Sequence, residues 1–141
     1  MPRLIKYLVI HCSDSRFGER NLIDQWHKQR GFRTIGYHYI ITNGHLHNTR
    51  KYRSEYDGVI QVGRPVAEAG AHVKGYNKHS IGICLIGKHH FTEKQFTELR
   101  GLITEIKKIH PDARVVGHYE LDDRKTCPNI SGHFLRDVIL A

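Results

Sequence analysis

Hydrophobic and polar positions along the chain follow two rhythms. Residues 5–11 (Ile-Lys-Tyr-Leu-Val-Ile-His) pack β-branched and aromatic side chains into a short run that ends in polar residues, which predicts a buried strand. Residues 21–30 place Leu22, Ile23 and Trp26 at helical spacing with Gly31 just beyond, an amphipathic helix with a glycine stop. A second strand is expected over 36–42, followed by the turn dipeptide Asn43-Gly44. A polar, basic stretch then leads to a second turn signal, Asp57-Gly58, before a short third strand over 59–62. Residues 80–86 are apolar on both faces, which predicts a central fourth strand. Thr92-Glu93-Lys94-Gln95 has the form of a capping box. After it Phe96, Leu99, Leu102, Ile103, Ile106 and Ile109 recur every three or four positions, the clearest helical stripe in the chain. A fifth strand over 113–117 delivers His118, and a helix capped by Ser131 is expected over 131–140. Strands alternating with helices predict an α/β fold: a single domain over 1–141 with a central mixed β-sheet of about five strands flanked by helices.

The 141 residues suffice for one hydrophobic core. With 39% hydrophobic and 26% charged residues the composition is that of a globular protein, and no apolar run reaches the roughly 18 residues of a membrane helix. The first residues carry no apolar signal segment, so synthesis in the cytoplasm is expected. The formal charge of +8 favours polyanions such as nucleic acid, cell-wall polymers or anionic headgroups without choosing among them. No nucleic-acid recognition motif accompanies that charge, so direct nucleic-acid binding is disfavoured. Three cysteines and no secretion signal argue against a disulfide framework.

Twelve histidines make metal chemistry worth testing position by position. His11 ends the first expected strand, His118 ends the fifth, and Cys127 follows in a loop before Pro128. The carboxyl edge of a sheet is where α/β proteins gather functional groups. Two imidazoles and a thiolate would be three ligands for zinc, leaving a fourth position for water. On spacing alone the plainer reading is favoured, two satisfied strand-end histidines and an ordinary buried thiol, because no compact metal motif is present. Cys12 should face away from His11 and, like Cys84, reads as a small buried hydrophobe. His38 reads as structural.

Four segments together change that weighting. They are Val9-Ile10-His11-Cys12-Ser13; Gly36-Tyr37-His38-Tyr39-Ile40-Ile41; Ala71-His72-Val73-Lys74-Gly75-Tyr76-Asn77 with Ser80-Ile81-Gly82-Ile83; and Gly117-His118 with Lys125-Thr126-Cys127-Pro128. Trp26-His27-Lys28 before Gly31-Phe32 also fits. In this order the segments resemble the type 2 N-acetylmuramoyl-L-alanine amidase family, which includes amidase-type phage lysozymes and is related to peptidoglycan recognition proteins. The resemblance implies zinc-dependent hydrolysis of the bond between N-acetylmuramic acid and L-alanine in peptidoglycan, by a phage or prophage endolysin acting on the wall after release. It implies zinc ligation by His11, His118 and Cys127, catalytic roles for Tyr37 and Lys125, and substrate contacts from His72 and Asn77. Lys125, two residues before a ligand, would stabilise a developing oxyanion, and the Tyr37 phenol would orient water or exchange protons with it. Tyr37 is expected in a strand beside that of His11.

Two alternatives stand beside this reading: a non-catalytic peptidoglycan-binding module, as in relatives that have lost the cysteine, and a regulatory protein that binds a polymerase partner. The complete set of His11, Tyr37, His118, Lys125 and Cys127 speaks against the first. The basic segment 43–57 is longer than the turn most relatives have there, and would extend the substrate groove, contact a partner or form a solvated hairpin. A monomer without membrane insertion is expected.

Overall fold

The structure, a computed structural model, describes residues 2–139. Five strands, β1 (Tyr7–Cys12), β2 (Tyr39–Asn43), β3 (Asp57–Val62), β4 (Ser80–Leu85) and β5 (Arg114–Gly117), form one sheet in the order β3-β2-β4-β1-β5. All pairings are parallel except β2–β3, so the sheet is mixed, as expected. Helices α1 (Arg20–Gln29) and α2 (Glu93–Ile109) cover its two faces, and a one-turn helix, α3 (His118–Leu121), follows β5 directly. Among the described residues no helix is long and apolar enough to cross a membrane.

The strand alternation sorts the core. Leu8 and Ile10 of β1, Ile81, Ile83 and Leu85 of β4 and Val115 of β5 point to one face, where they meet Leu99, Ile103 and Ile106 of α2. On the other face β1 presents Val9 and His11, and β4 presents Gly82 and Cys84. Ile40, Cys84 and Ile86 there pack against Ile23 and Trp26 of α1. β4 is buried at every position, as its apolar run predicts, because it lies between β2 and β1.

The capping box of α2 is formed: Thr92 Oγ1 accepts from the Gln95 amide at 3.0 Å, and Gln95 Oε1 accepts from the Thr92 amide at 2.9 Å. Gln95 is fully buried and does more than cap. Its Nε2 donates to the carbonyls of Ile41 and Ile86, tying α2 to the ends of β2 and β4. Ile109, expected in the buried stripe, is the last residue of α2 and is 76% exposed, so the buried stripe ends one turn earlier at Ile106. Asp57-Gly58 is not a turn but the first two residues of β3. Gly58 has φ +77° where the β2–β3 register shifts, so the glycine serves a bulge. At the C-terminal end the Ser131 hydroxyl accepts from the Phe134 amide at 3.1 Å, as a cap should, and Phe134–Ile139 wind as a π-helical segment. Leu140, included in the expected helix, lies outside the described residues.

Candidate metal centre

β1 is the most buried source of site residues. His11 is the penultimate residue of the strand, opposite Cys84 of β4, 1% exposed and on the face that carries α1. His118 arrives from β5, the other neighbour of β1, as the first residue of α3. Glu120 fixes that turn: its Oε1 accepts from the Gly117 amide at 2.9 Å and from Arg136 at 2.8 Å. Cys127 is brought back to His118 by a backbone hydrogen bond from the Tyr119 amide to the Cys127 carbonyl at 3.0 Å. The outcome is that one ligand atom from each of His11, His118 and Cys127 lies within 4.8 Å of the other two. Among the described residues this is the group of histidines, cysteines and acids that could hold a metal ion.

The donor set suits zinc. Two imidazoles and one thiol are ligands of the right softness, and three protein donors beneath an open cleft are the form of a catalytic rather than a structural site. Burial, and then the neighbouring histidines, hold His11 well below the ordinary imidazole range. Burial, and then the Lys125 charge, lower His118. Both imidazoles are therefore neutral at neutral pH, as a metal ligand must be. Cys127 is different: its hydrogen bonding with Cys12 and its burial push the thiol up. A metal entering the cluster must displace that proton. Cys12, expected to be a bystander, is the immediate neighbour of this ligand; its amide donates to the Cys127 Sγ at 2.9 Å.

The cluster forms the floor of a cleft of about 680 Å³, whose walls include Tyr37, His72, Asn77 and Lys125. All seven residues singled out from the sequence thus converge on one cavity. Tyr37 does not reach it as expected. It precedes β2 rather than lying in it, and β4, not β2, neighbours β1. Tyr37 crosses over β4 instead, placing its ring centroid 4.9 Å from that of His11 and 5.2 Å from that of His27. Burial, reinforced by the surrounding cysteines, raises its phenol well above the ordinary range, so the hydroxyl keeps its proton. Lys125 is exposed at the rim on a turn closed by its own amide to the Asp122 carbonyl at 3.0 Å. His72 is only 8% exposed, and its Nδ1 lies 2.8 Å from His11 Nε2. Asn77 Oδ1 accepts from the amides of both His72 and Val73 at 2.9 Å.

His38 is structural, as read: fully buried, its Nδ1 accepts from the Gly82 amide at 3.0 Å and its Nε2 donates to the Glu68 carbonyl at 2.8 Å. Two residues had no assigned role. His27 is buried and its Nδ1 accepts from the Gly36 amide at 2.9 Å, which anchors the segment carrying Tyr37. Arg64, 6% exposed, donates to the carbonyls of Ile35, Ala69 and Thr34, holding the same segment from the other side. No spacing rule signals either, since their partners are backbone atoms. No residue of the basic segment 43–57 lines the cleft. It folds on itself through Arg53 over the Tyr56 ring and through the Tyr52 hydroxyl, which donates to Asp57 at 2.6 Å.

Residues 1–130 match the family model described as N-acetylmuramoyl-L-alanine amidase. The endolysin of Enterobacteria phage K11 is 33% identical over 132 residues, covering 85% of this chain and 78% of that protein. The endolysin of Escherichia phage T7 is 33% identical over 134 residues, covering 86% and 79%. Among solved structures, the N-acetylmuramoyl-L-alanine amidase LysC from Clostridium intestinale URNW superimposes with a TM-score of 0.73 at 26% identity, covering 88% of this chain and 76% of that one.

Proposed function

The chain belongs to the N-acetylmuramoyl-L-alanine amidase family, and from that premise we infer that it is a zinc-dependent endolysin that hydrolyses the amide between N-acetylmuramic acid and L-alanine in peptidoglycan. The observation that carries the reading is the convergence of His11, His118 and Cys127 at the floor of an open cleft. When bound, zinc supplies Lewis-acid activation of water and of the amide carbonyl.

The chain's own residues do the rest. Burial and neighbouring histidines keep His11 neutral, and burial and the Lys125 charge keep His118 neutral, so both would hold the metal without competition from protons near neutral pH. The Tyr37 phenol, kept protonated, is a hydrogen-bond donor beside His11, suited to orienting water or the scissile carbonyl. Lys125 lines the same cleft, and a positive charge there would stabilise a developing oxyanion in the transition state more than in the ground state. The exposed cleft admits a polymer, and the net charge of +8 draws the protein to the anionic wall after its release from the cytoplasm.

Mass analysis of digested peptidoglycan tests this. Fragments with new L-alanine amino termini and no new reducing sugar ends are expected, abolished by a chelator and restored by zinc. Zinc-replete protein that binds wall fragments yet releases no such amines contradicts the reading.

A further inference from the structure

The geometry points to His72 as the positioning residue of His11: it holds the ligand's imidazole in one tautomer and one orientation rather than touching substrate. This rests on reading His11 as a zinc ligand. His11 Nε2 is 2.8 Å from His72 Nδ1, in the interior. The other ring nitrogen of His72, Nε2, is 3.2 Å from Ser80 Oγ. Both polar atoms of the His72 ring are therefore spent inside the protein, and neither remains for a ligand in the cleft. With His11 Nε2 turned to His72, a neutral His11 that holds a metal through Nδ1 carries its proton on Nε2 and donates it to His72 Nδ1, and His72 in turn donates Nε2–H to Ser80 Oγ. A metal-bound imidazole whose second N–H is anchored is a stronger and better-aimed ligand.

The surroundings are built around this ring. A Cβ at Gly82 would come within 2.7 Å of it, and one at Gly70 within 2.6 Å. Gly82 lies on the same sheet face as Ser80 and beside Val9, two residues before His11 in the neighbouring strand. The glycine that interrupts an apolar central strand is thus the seat of the His72 ring. Asn77 completes the arrangement, since its Oδ1 accepts the amides of His72 and Val73 and fixes the loop that delivers the ring.

Asn and Leu are similar in size, and Asn alone keeps an acceptor where His72 Nδ1 stands. Zinc affinity of the full chain, measured by competition with a chromogenic chelator, is expected to fall about 10–100-fold in His72→Leu and to recover most of that loss in His72→Asn. Zinc affinity within twofold of wild type in His72→Leu, or an equal fall in both variants, overturns the inference. Unchanged zinc affinity with a raised KM in His72→Leu would place the ring against substrate instead. If His72→Leu does not fold, Ser80→Ala decides: a severalfold weaker affinity supports the positioning chain and an unchanged one refutes it. A wild-type protein that takes up no zinc would sink the metal reading itself, a result none of the variants could mimic.

Discussion

His27 should make the fold acid-sensitive by an amount that can be worked out. Its ring is 6% exposed and its Nδ1 accepts the Gly36 amide, so protonation both charges a buried ring and removes an acceptor. Burial, and then the charges of Arg30 and Arg64, bring its pKa down to about 4. In the unfolded chain the value returns to about 6.5. Between those values the unfolded state binds the extra proton, so stability is fully present above about pH 6.5 and is lost as pH falls toward 4. The linkage relation gives a loss of about 2 kcal/mol between pH 7 and pH 5 from this one residue. His27→Asn keeps an acceptor at the Nδ1 position and cannot titrate. Its packing cost against Tyr37 and Phe32 is the same at every pH and cancels in the comparison. Guanidinium denaturation of both proteins in chelator at pH 7 and pH 5 should show wild type losing about 2 kcal/mol more than the variant. Parallel losses in the two proteins would refute the reasoning.

Lys125→Met should lower kcat on peptidoglycan roughly 10²–10³-fold while leaving zinc content unchanged, read by turnover and metal analysis. Zinc at about 1,000 times its Kd should add about 4 kcal/mol, which for this chain length raises the melting temperature by about 10–15 °C over the chelated form in a thermal scan. Zinc uptake should release a proton from Cys127, whose thiol is held protonated by Cys12 and by burial, so affinity should rise with pH in calorimetric titrations run in buffers of different ionisation heat. Gln95→Leu should cost about 1–3 kcal/mol in denaturant melts, because it removes the side-chain donor to the buried Ile86 carbonyl and half of the α2 cap, while the Ile41 carbonyl keeps the Ile86 amide.

What could be read from the sequence was what depends on neighbours along the chain. The strand over 80–85 announces itself because a strand covered on both faces must be apolar throughout. The α2 cap is legible because both of its partners lie within four residues. His11, His118 and Cys127 were found at element ends, but only their agreement with a known family pattern raised them above ordinary histidines. What failed depended on strand order. Tyr37 was placed beside β1 because no local signal tells which strand inserts between β2 and β1. His72 and Asn77 were expected to meet substrate; the structure puts both at the cleft, with hydrogen bonds to His11 and to backbone amides that no spacing could reveal. Gly82 was the unread clue, since a glycine inside an apolar strand marks the close approach of something else.

The sheet order also governs when this protein comes into being. β1 is made first yet is flanked by β4 and β5, so neither edge of its Leu8-Val9-Ile10 run is covered until residues 80–117 have left the ribosome. Until then the nascent chain carries a sticky, unpaired apolar segment, and it depends on fast completion or on chaperones to escape aggregation. The three-residue metal cluster cannot assemble before Cys127 is translated, so it forms only after all five strands of the sheet have been made.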